Sequence, residues 1–295
     1  MAAGGNPLLS NNPAITGRGQ YQNGRAGYAP APPQNPYGQS GYGQQSYGQG
    51  QYGQPNDLQD LYNRPSATPS QTGRMTFDDV IVKTALTLGL VVVGAAIGWF
   101  VPALMLIGLI GGLVLGLVNS FKREPVPALI LAYAALEGLF LGGLSGFLEG
   151  LYPGIVVQAV VGTLSVFAVT LLLFRSGKVR ATPKAMKFFL IAMAGYALFS
   201  LVNLGLMVFG VTDGMFGLHS ATIPGTSIPW GVVIGLLAIG LAAFSLIVDF
   251  TSISEGVRNG VPARYSWSAA FGLTVTLVWL YVEILRLLAI LRGDD

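Results

Sequence analysis

From Val80 onward the chain is a succession of long apolar segments. Each segment is close to the roughly 20 residues that an α-helix needs to cross a bilayer. Helices are expected throughout, because an open strand would leave backbone N–H and C=O groups unpaired in lipid. The sequence therefore predicts an all-α polytopic membrane protein with seven transmembrane helices. The predicted spans cover about residues 80–100, 103–119, 128–148, 155–174, 185–209, 229–250 and 267–291.

The first part of the chain has a different composition. Residues 1–73 contain almost no aliphatic runs, and GYGQ, SYGQ and QYGQ recur between positions 41 and 54. Such a segment cannot bury enough apolar surface to offset its conformational entropy. We therefore expect two regions: a disordered Gly/Gln/Tyr/Pro-rich tail over 1–73 and a seven-helix membrane domain over 74–295. The tail is either simply solvated or a tyrosine-rich segment that promotes clustering or binds a protein partner.

Lysine and arginine are unevenly distributed between the two sets of connecting segments. If the tail lies inside, fourteen of the sixteen basic residues fall on the inner side, and only Arg286 and Arg292 do not. Segments that stay in the cytoplasm carry an excess of Lys and Arg. The sequence therefore predicts a cytoplasmic N-terminus and an external C-terminus, which agrees with an odd number of spans.

The composition also limits the chemistry. The chain has no Cys and a single His, His219. This composition excludes disulfides, thiolate sites and the usual multi-histidine metal clusters. The start of the chain lacks the charged and apolar regions of a signal peptide, so the first span is expected to direct insertion. No cofactor and no nucleic-acid partner are predicted, whereas membrane lipids are expected partners.

Three acidic residues lie inside predicted spans: Glu137, Asp249 and Glu283. An ionisable side chain in a span is costly and is a functional candidate by default. Burial and mutual repulsion disfavour the charged form of carboxyl groups, so protonation could open or close a cation route. Less specific interpretations remain open. Asp249 could lie at the interface and touch water, and Glu283 could pair with Arg286 at i, i+3.

Residues 143–146 (GLSG) match the GxSG pattern of intramembrane serine proteases. That chemistry needs a histidine base facing the serine from another span. The single candidate, His219, falls in a predicted outer loop. Close packing of glycine-rich helices explains the pattern better, and we predict no enzymatic activity.

Five short strings, in this order, resemble the Bax inhibitor-1 family, and in particular its actinobacterial branch with a long polar N-terminal tail. The resemblance covers about residues 75–295. The strings are residues 100–105 (FVPALM), 137–142 (EGLFLG), 151–156 (LYPGIV), 245–249 (SLIVD) and the Leu/Arg-rich last span ending at 292–295 (RGDD).

The resemblance implies a seven-helix fold with one central span and a pH-sensitive calcium leak. It also implies that two acids, on spans 6 and 7, share a proton and act as the pH sensor. Asp249 matches the span 6 acid. A basic residue near the end of span 2 is implied to latch onto one of these acids, and Lys122 or Arg123 lies close to that position.

The span 7 acid is where the sequence departs from the family pattern. In an ungapped comparison it falls on Thr276, and Glu283 lies two turns later, roughly 10 Å along the helix axis. Either a local shift places Glu283 in the sensor, or Glu137 is the partner of Asp249.

The predicted function is a pH-sensitive cation leak, with calcium as the expected ion, in the plasma membrane of a bacterium. The alternative is a non-transporting membrane scaffold that binds and regulates partner proteins.

Overall fold

The computed structural model describes residues 72–177, 179, 181–212 and 215–293. All of them belong to one compact unit of the chain. The prediction of a disordered tail falls, apart from residues 72 and 73, outside the described residues.

Within the described residues, seven helices are long and apolar enough to cross a membrane. The predicted fold class, an all-α protein with seven such helices, is confirmed. The helices are α1 Phe77–Phe100, α2 Leu104–Phe121, α3 Pro127–Leu151, α4 Ile155–Arg175, α5 Pro183–Val208, α6 Trp230–Arg258 and α7 Ser266–Arg292. Short 3-10 turns, Gly217–Ser220 and Ala263–Tyr265, precede α6 and α7.

Local sequence signals explain where the first two helices begin and end. The Thr76 hydroxyl accepts a hydrogen bond of 3.1 Å from the backbone N–H of Asp79, which caps α1. Asp78 and Asp79 lie in the first turn, where negative charge stabilises a helix N-terminus. Pro102 lies in the turn that separates α1 from α2, because proline cannot continue a hydrogen-bonded helix.

Helix α7 occupies the centre of the bundle. It packs against α1, α3, α4 and α6, and its buried positions occur on several faces. Leu280 and Leu285 of α7 join Leu246 of α6 and Ile155 of α4 in the largest core cluster. The central span that the family resemblance implies is therefore α7.

Glycines allow α1 and α3 to approach closely. A Cβ added at Gly138 would lie 2.9 Å from the Cα of Gly94, and one added at Gly94 would lie 3.1 Å from the Cα of Gly138. The first separation is shorter than real Cβ atoms show and the second is tighter than most, so a side chain at either position would push the two backbones apart. Small residues at helix contacts are typical of membrane bundles, in which packing rather than water exclusion drives association.

Contacts between loops define the two ends of the bundle. At one end, the segment before α1 forms an antiparallel bridge, Arg74 to Pro262, with the α6–α7 connection. The same connection meets the α2–α3 loop through an ion pair of 3.2 Å between Arg264 and Glu124. Several segments rich in basic residues therefore share this end, which we call the inner end. Its cytoplasmic location stays a prediction from the distribution of basic residues.

The opposite end, here called the outer end, brings the end of α7 to the α3–α4 turn. Arg292 donates a hydrogen bond of 2.9 Å to the backbone carbonyl of Pro153. His219, before α6, is packed so closely that a Cβ added at Gly231 would lie 2.8 Å from its carbonyl oxygen. The two ends thus have separate sets of loop contacts.

Candidate functional site

Asp249 of α6 and Thr276 of α7 are in direct contact. The Thr276 hydroxyl donates a hydrogen bond of 2.7 Å to Oδ2 of Asp249. The Ser245 hydroxyl, one turn earlier on α6, lies 3.3 Å from the Thr276 oxygen. Since the single Thr276 proton points to Asp249, Ser245 is the donor in the second contact. Two hydroxyl groups therefore form a short chain that ends on one carboxylate.

Asp249 lies deeper in the bundle than its place in the predicted span suggests. Helix α6 continues to Arg258, well beyond the predicted span end at residue 250. At 1.5 Å per residue, Asp249 is about 13 Å from the inner end of α6, and Thr276 is about 15 Å from the start of α7. Asp249 is half-buried and Thr276 is buried. The pair is therefore inside the bundle and not at the helix ends.

Glu137 lies on α3 at a similar distance from the inner end, about 15 Å by the same helical rise. Its carboxyl group faces α2, and a Cβ added at Gly112 would overlap its Oε2 atom. Glu137 is half-buried, and no side chain or backbone group in the described part of the chain forms a hydrogen bond with it. It is not the hydrogen-bond partner of Asp249.

Glu283 lies in the outer half of α7 and is only 2% exposed. Its Oε1 accepts hydrogen bonds from the hydroxyl of Tyr196 on α5 and, at 2.9 Å, from the indole N–H of Trp279. Its Oε2 is paired with the guanidinium of Arg286. Arg286 also donates to the Tyr196 oxygen at 2.9 Å. Of the two residues proposed for the second sensor position, the structure thus brings Thr276, and not Glu283, to Asp249.

Further polar contacts connect α7 with its neighbours. The hydroxyl groups of Thr87 on α1 and Thr274 on α7 lie 2.8 Å apart. The hydroxyl groups of Ser145 on α3 and Tyr281 on α7 lie 2.6 Å apart. Sequence reasoning did not find these pairs, because an isolated hydroxyl residue in an apolar span gives no sign of which helix it will face.

The proposed basic latch is not engaged in this structure. Lys122 forms the C-cap of α2, and both Lys122 and Arg123 are exposed. Ion pairs within the described residues connect Lys83 with Asp79, Arg264 with Glu124 and Arg286 with Glu283. A latch from Lys122 or Arg123 to Asp249 stays a prediction.

The GxSG serine and the single histidine have different partners. Ser145 pairs with Tyr281, whereas the His219 ring nitrogen Nδ1 lies 3.2 Å from the Phe216 carbonyl and 3.3 Å from the Asn203 amide. His219 is 1% exposed. Burial, together with the positive charge of Arg286, lowers the pKa of His219 to about 4. Nothing in this geometry presents the imidazole to the serine.

The carboxyl groups are dispersed along the bundle. No group of three or more His, Cys, Asp or Glu side chains able to hold a metal ion occurs among the residues that the structure covers. Calcium takes six to eight oxygen ligands in a stable site. The oxygen atoms gathered at Asp249 are its own carboxylate and the hydroxyl oxygens of Thr276 and Ser245.

These features define a multi-pass helical membrane protein with acidic side chains within its spans. A family model described as Bax inhibitor 1 like matches residues 6–293. The chain belongs to this family, which confirms the resemblance seen in the sequence. Comparison with curated proteins gives no match.

Proposed function

We propose that this protein is a pH-sensitive cation leak of the Bax inhibitor-1 type, with calcium as its ion. Its location would be the plasma membrane of a bacterium. The observation that carries the proposal is the environment of Asp249. This carboxylate lies within a membrane-spanning helix, and one hydroxyl group, that of Thr276, donates to it. No cationic side chain of the described residues pairs with it.

An unpaired carboxylate in a medium of low dielectric constant attracts cations strongly. Hard cations such as calcium prefer oxygen ligands, which Asp249, Thr276 and Ser245 supply. Protonation would remove the charge of Asp249 and with it most of this attraction. The same group would thus both bind the passing ion and respond to pH.

Glu137 would provide a second acidic position at a similar depth. Its carboxyl group faces the glycine-rich side of α2, where Gly112 leaves room for it. An acid without a hydrogen-bond partner inside a membrane bundle is retained at a cost, which favours a functional role. We expect Glu137→Gln to reduce the flux, with a smaller effect on its pH dependence than a change at Asp249.

The lateral surface of the bundle is suited to contact with a bilayer. Large apolar side chains are exposed on several helices, among them Phe121, Phe188 and Val208. Contiguous apolar surface of this kind is unfavourable in water and favourable in hydrocarbon. Membrane lipids would therefore surround the bundle.

The test is calcium flux into proteoliposomes that contain a calcium-sensitive dye, measured between about pH 5 and 8. Asparagine resembles a protonated aspartate in shape and charge. We therefore expect Asp249→Asn to carry a flux that no longer varies with pH and that equals the flux of the wild type at acidic pH. Asp249→Glu keeps the charge and should keep the pH dependence.

Glu255 offers a matched control, because it is an exposed acid on the same helix, close to the inner end. Glu255→Gln should leave the pH profile of the wild type unchanged. Absence of calcium flux at every pH, or an unchanged profile in Asp249→Asn, would contradict the proposal and favour the scaffold function.

A further inference from the structure

A short segment before α1 is joined to the connection between α6 and α7. We call residues 73–76 the inner strap. The backbone N–H of Met75 donates to the carbonyl of Val261 at 2.7 Å, and the N–H of Ala263 donates to the carbonyl of Gly73 at 2.8 Å. These two bonds flank the antiparallel bridge between Arg74 and Pro262. The inner strap therefore pairs with a segment that is far away in the sequence.

The side chain of Met75 anchors the strap in the core. Met75 is 3% exposed and belongs to the same hydrophobic cluster as Val80 and Ile253. Its sulfur would lie 3.2 Å from a Cβ added at Gly256. Gly256 follows Asp249 by two helical turns on the same face of α6. The anchor therefore contacts the helix that carries the acid of the candidate site.

A charged group on α1 strengthens the same connection. The Lys83 ammonium donates to Oδ2 of Asp79 at 2.7 Å and to the carbonyl of Ala263 at 3.1 Å. It also lies 5.4 Å from the centre of the Trp267 ring, in the first turn of α7. Ala263 thus receives contacts from the strap through its N–H and from α1 through its carbonyl.

We propose that the inner strap is a clamp that positions α6 against α7 and thereby sets the contact between Asp249 and Thr276. This inference rests on the proposed function for its effect on flux. Both residues lie on the helices that the clamped connection joins, each about 15 Å or less from their inner ends.

Because the chain contains no cysteine, no native thiol competes with an introduced pair of cysteines in forming a disulfide. Residues that face each other in an antiparallel pair have Cα atoms about 4.5–5.5 Å apart, which suits a disulfide. The double variant Arg74→Cys/Pro262→Cys would lock the strap when oxidised and release that constraint when reduced. Met75→Ser is the opposite change, because it removes the apolar anchor while leaving the backbone bonds available.

Two measurements on the full chain separate the clamp from the leak. Hydrogen exchange of the inner halves of α6 and α7 reports the clamp alone. We expect slower exchange in the oxidised variant than in the reduced one, and exchange about tenfold faster than wild type in Met75→Ser. Deleting residues 1–71 should leave exchange unchanged, because the strap remains. The pH profile of calcium flux should shift between the oxidised and reduced forms.

Equal exchange in the oxidised and reduced forms would overturn the clamp. A difference in exchange together with identical pH profiles of flux would overturn its control of the site. If exchange responds as expected but no variant carries flux at any pH, the clamp is supported and the proposed leak fails.

Discussion

Two acids of the bundle show how different the environment of a membrane carboxylate can be. Glu283, in the outer half, has an ion pair with Arg286 and hydrogen bonds from Tyr196 and Trp279. Asp249, in the inner half, has one hydroxyl donor, Thr276. A carboxylate whose charge and lone pairs are satisfied stabilises the structure, whereas one with a single neutral donor remains available to a proton or a cation. The carboxyl groups of Glu283 and Asp249 therefore differ more in their hydrogen-bond and charge partners than in their burial.

The largest expected effect comes from breaking the ion pair between Glu283 and Arg286. Arg286→Leu would leave the charge of Glu283 buried without its cation, at a cost of about 3–5 kcal/mol in the free energy of unfolding. Unfolding in detergent measures this cost. The double variant Glu283→Leu/Arg286→Leu should be clearly less destabilised, because no unpaired charge remains. Equal losses in the single and double variants would show that Glu283 is not held as an ion pair.

A somewhat smaller effect concerns His219, which belongs to the outer half. Burial lowers the pKa of His219 in the folded protein from 6.5 to about 4. Between these values the unfolded state binds the additional proton, so stability falls as the pH is lowered through this window. The total loss is about 3 kcal/mol at 1.36 kcal/mol per pH unit.

The free energy of unfolding in detergent, measured from about pH 7 to 4, tests this linkage. His219→Gln should flatten the dependence on pH, even if it lowers stability at every pH. The same slope in the wild type and in His219→Gln would contradict the assignment.

The smallest expected effect comes from changing the pair formed by Asp249 and Thr276. Thr276→Asp would place a second carboxyl group next to Asp249, in the position where the family resemblance implies an acid. Two carboxyl groups at this distance share a proton and titrate together. The pH response of calcium flux should move upward by about one pH unit. Thr276→Asn is the matched neutral control, and an identical response in both variants would exclude a shared proton.

The sequence was sufficient for the number of helices, because each span is a long apolar run. The predicted span 6 ends at about residue 250, and helix α6 continues two turns further, through Ser252, Glu255 and Arg258. These polar residues continue the helix outside the apolar stretch that a hydropathy argument detects. The length of a helix and the length of its apolar part are therefore different quantities.

The candidate site was predictable only in part. An acid in a span is visible in the sequence, and the ungapped comparison with the family pointed to Thr276 beside Asp249. Of the partners of Glu283, the sequence analysis identified Arg286 and overlooked Trp279, which lies one turn away on the same helix. Tyr196 was not visible, because it lies on α5 and its approach depends on how the helices pack. The inner strap was missed for the same reason, since backbone pairing between distant segments leaves no periodic signal.

One comparison tests the account most directly: the pH profile of calcium flux in Asp249→Asn and in the outer double variant Glu283→Gln/Arg286→Gln, each reconstituted from folded protein. We expect the Asp249 variant to lose its pH dependence and the outer double variant to keep the profile of the wild type. Retained pH dependence in Asp249→Asn, or its loss in the outer double variant alone, would contradict the assignment of the response to the inner acid.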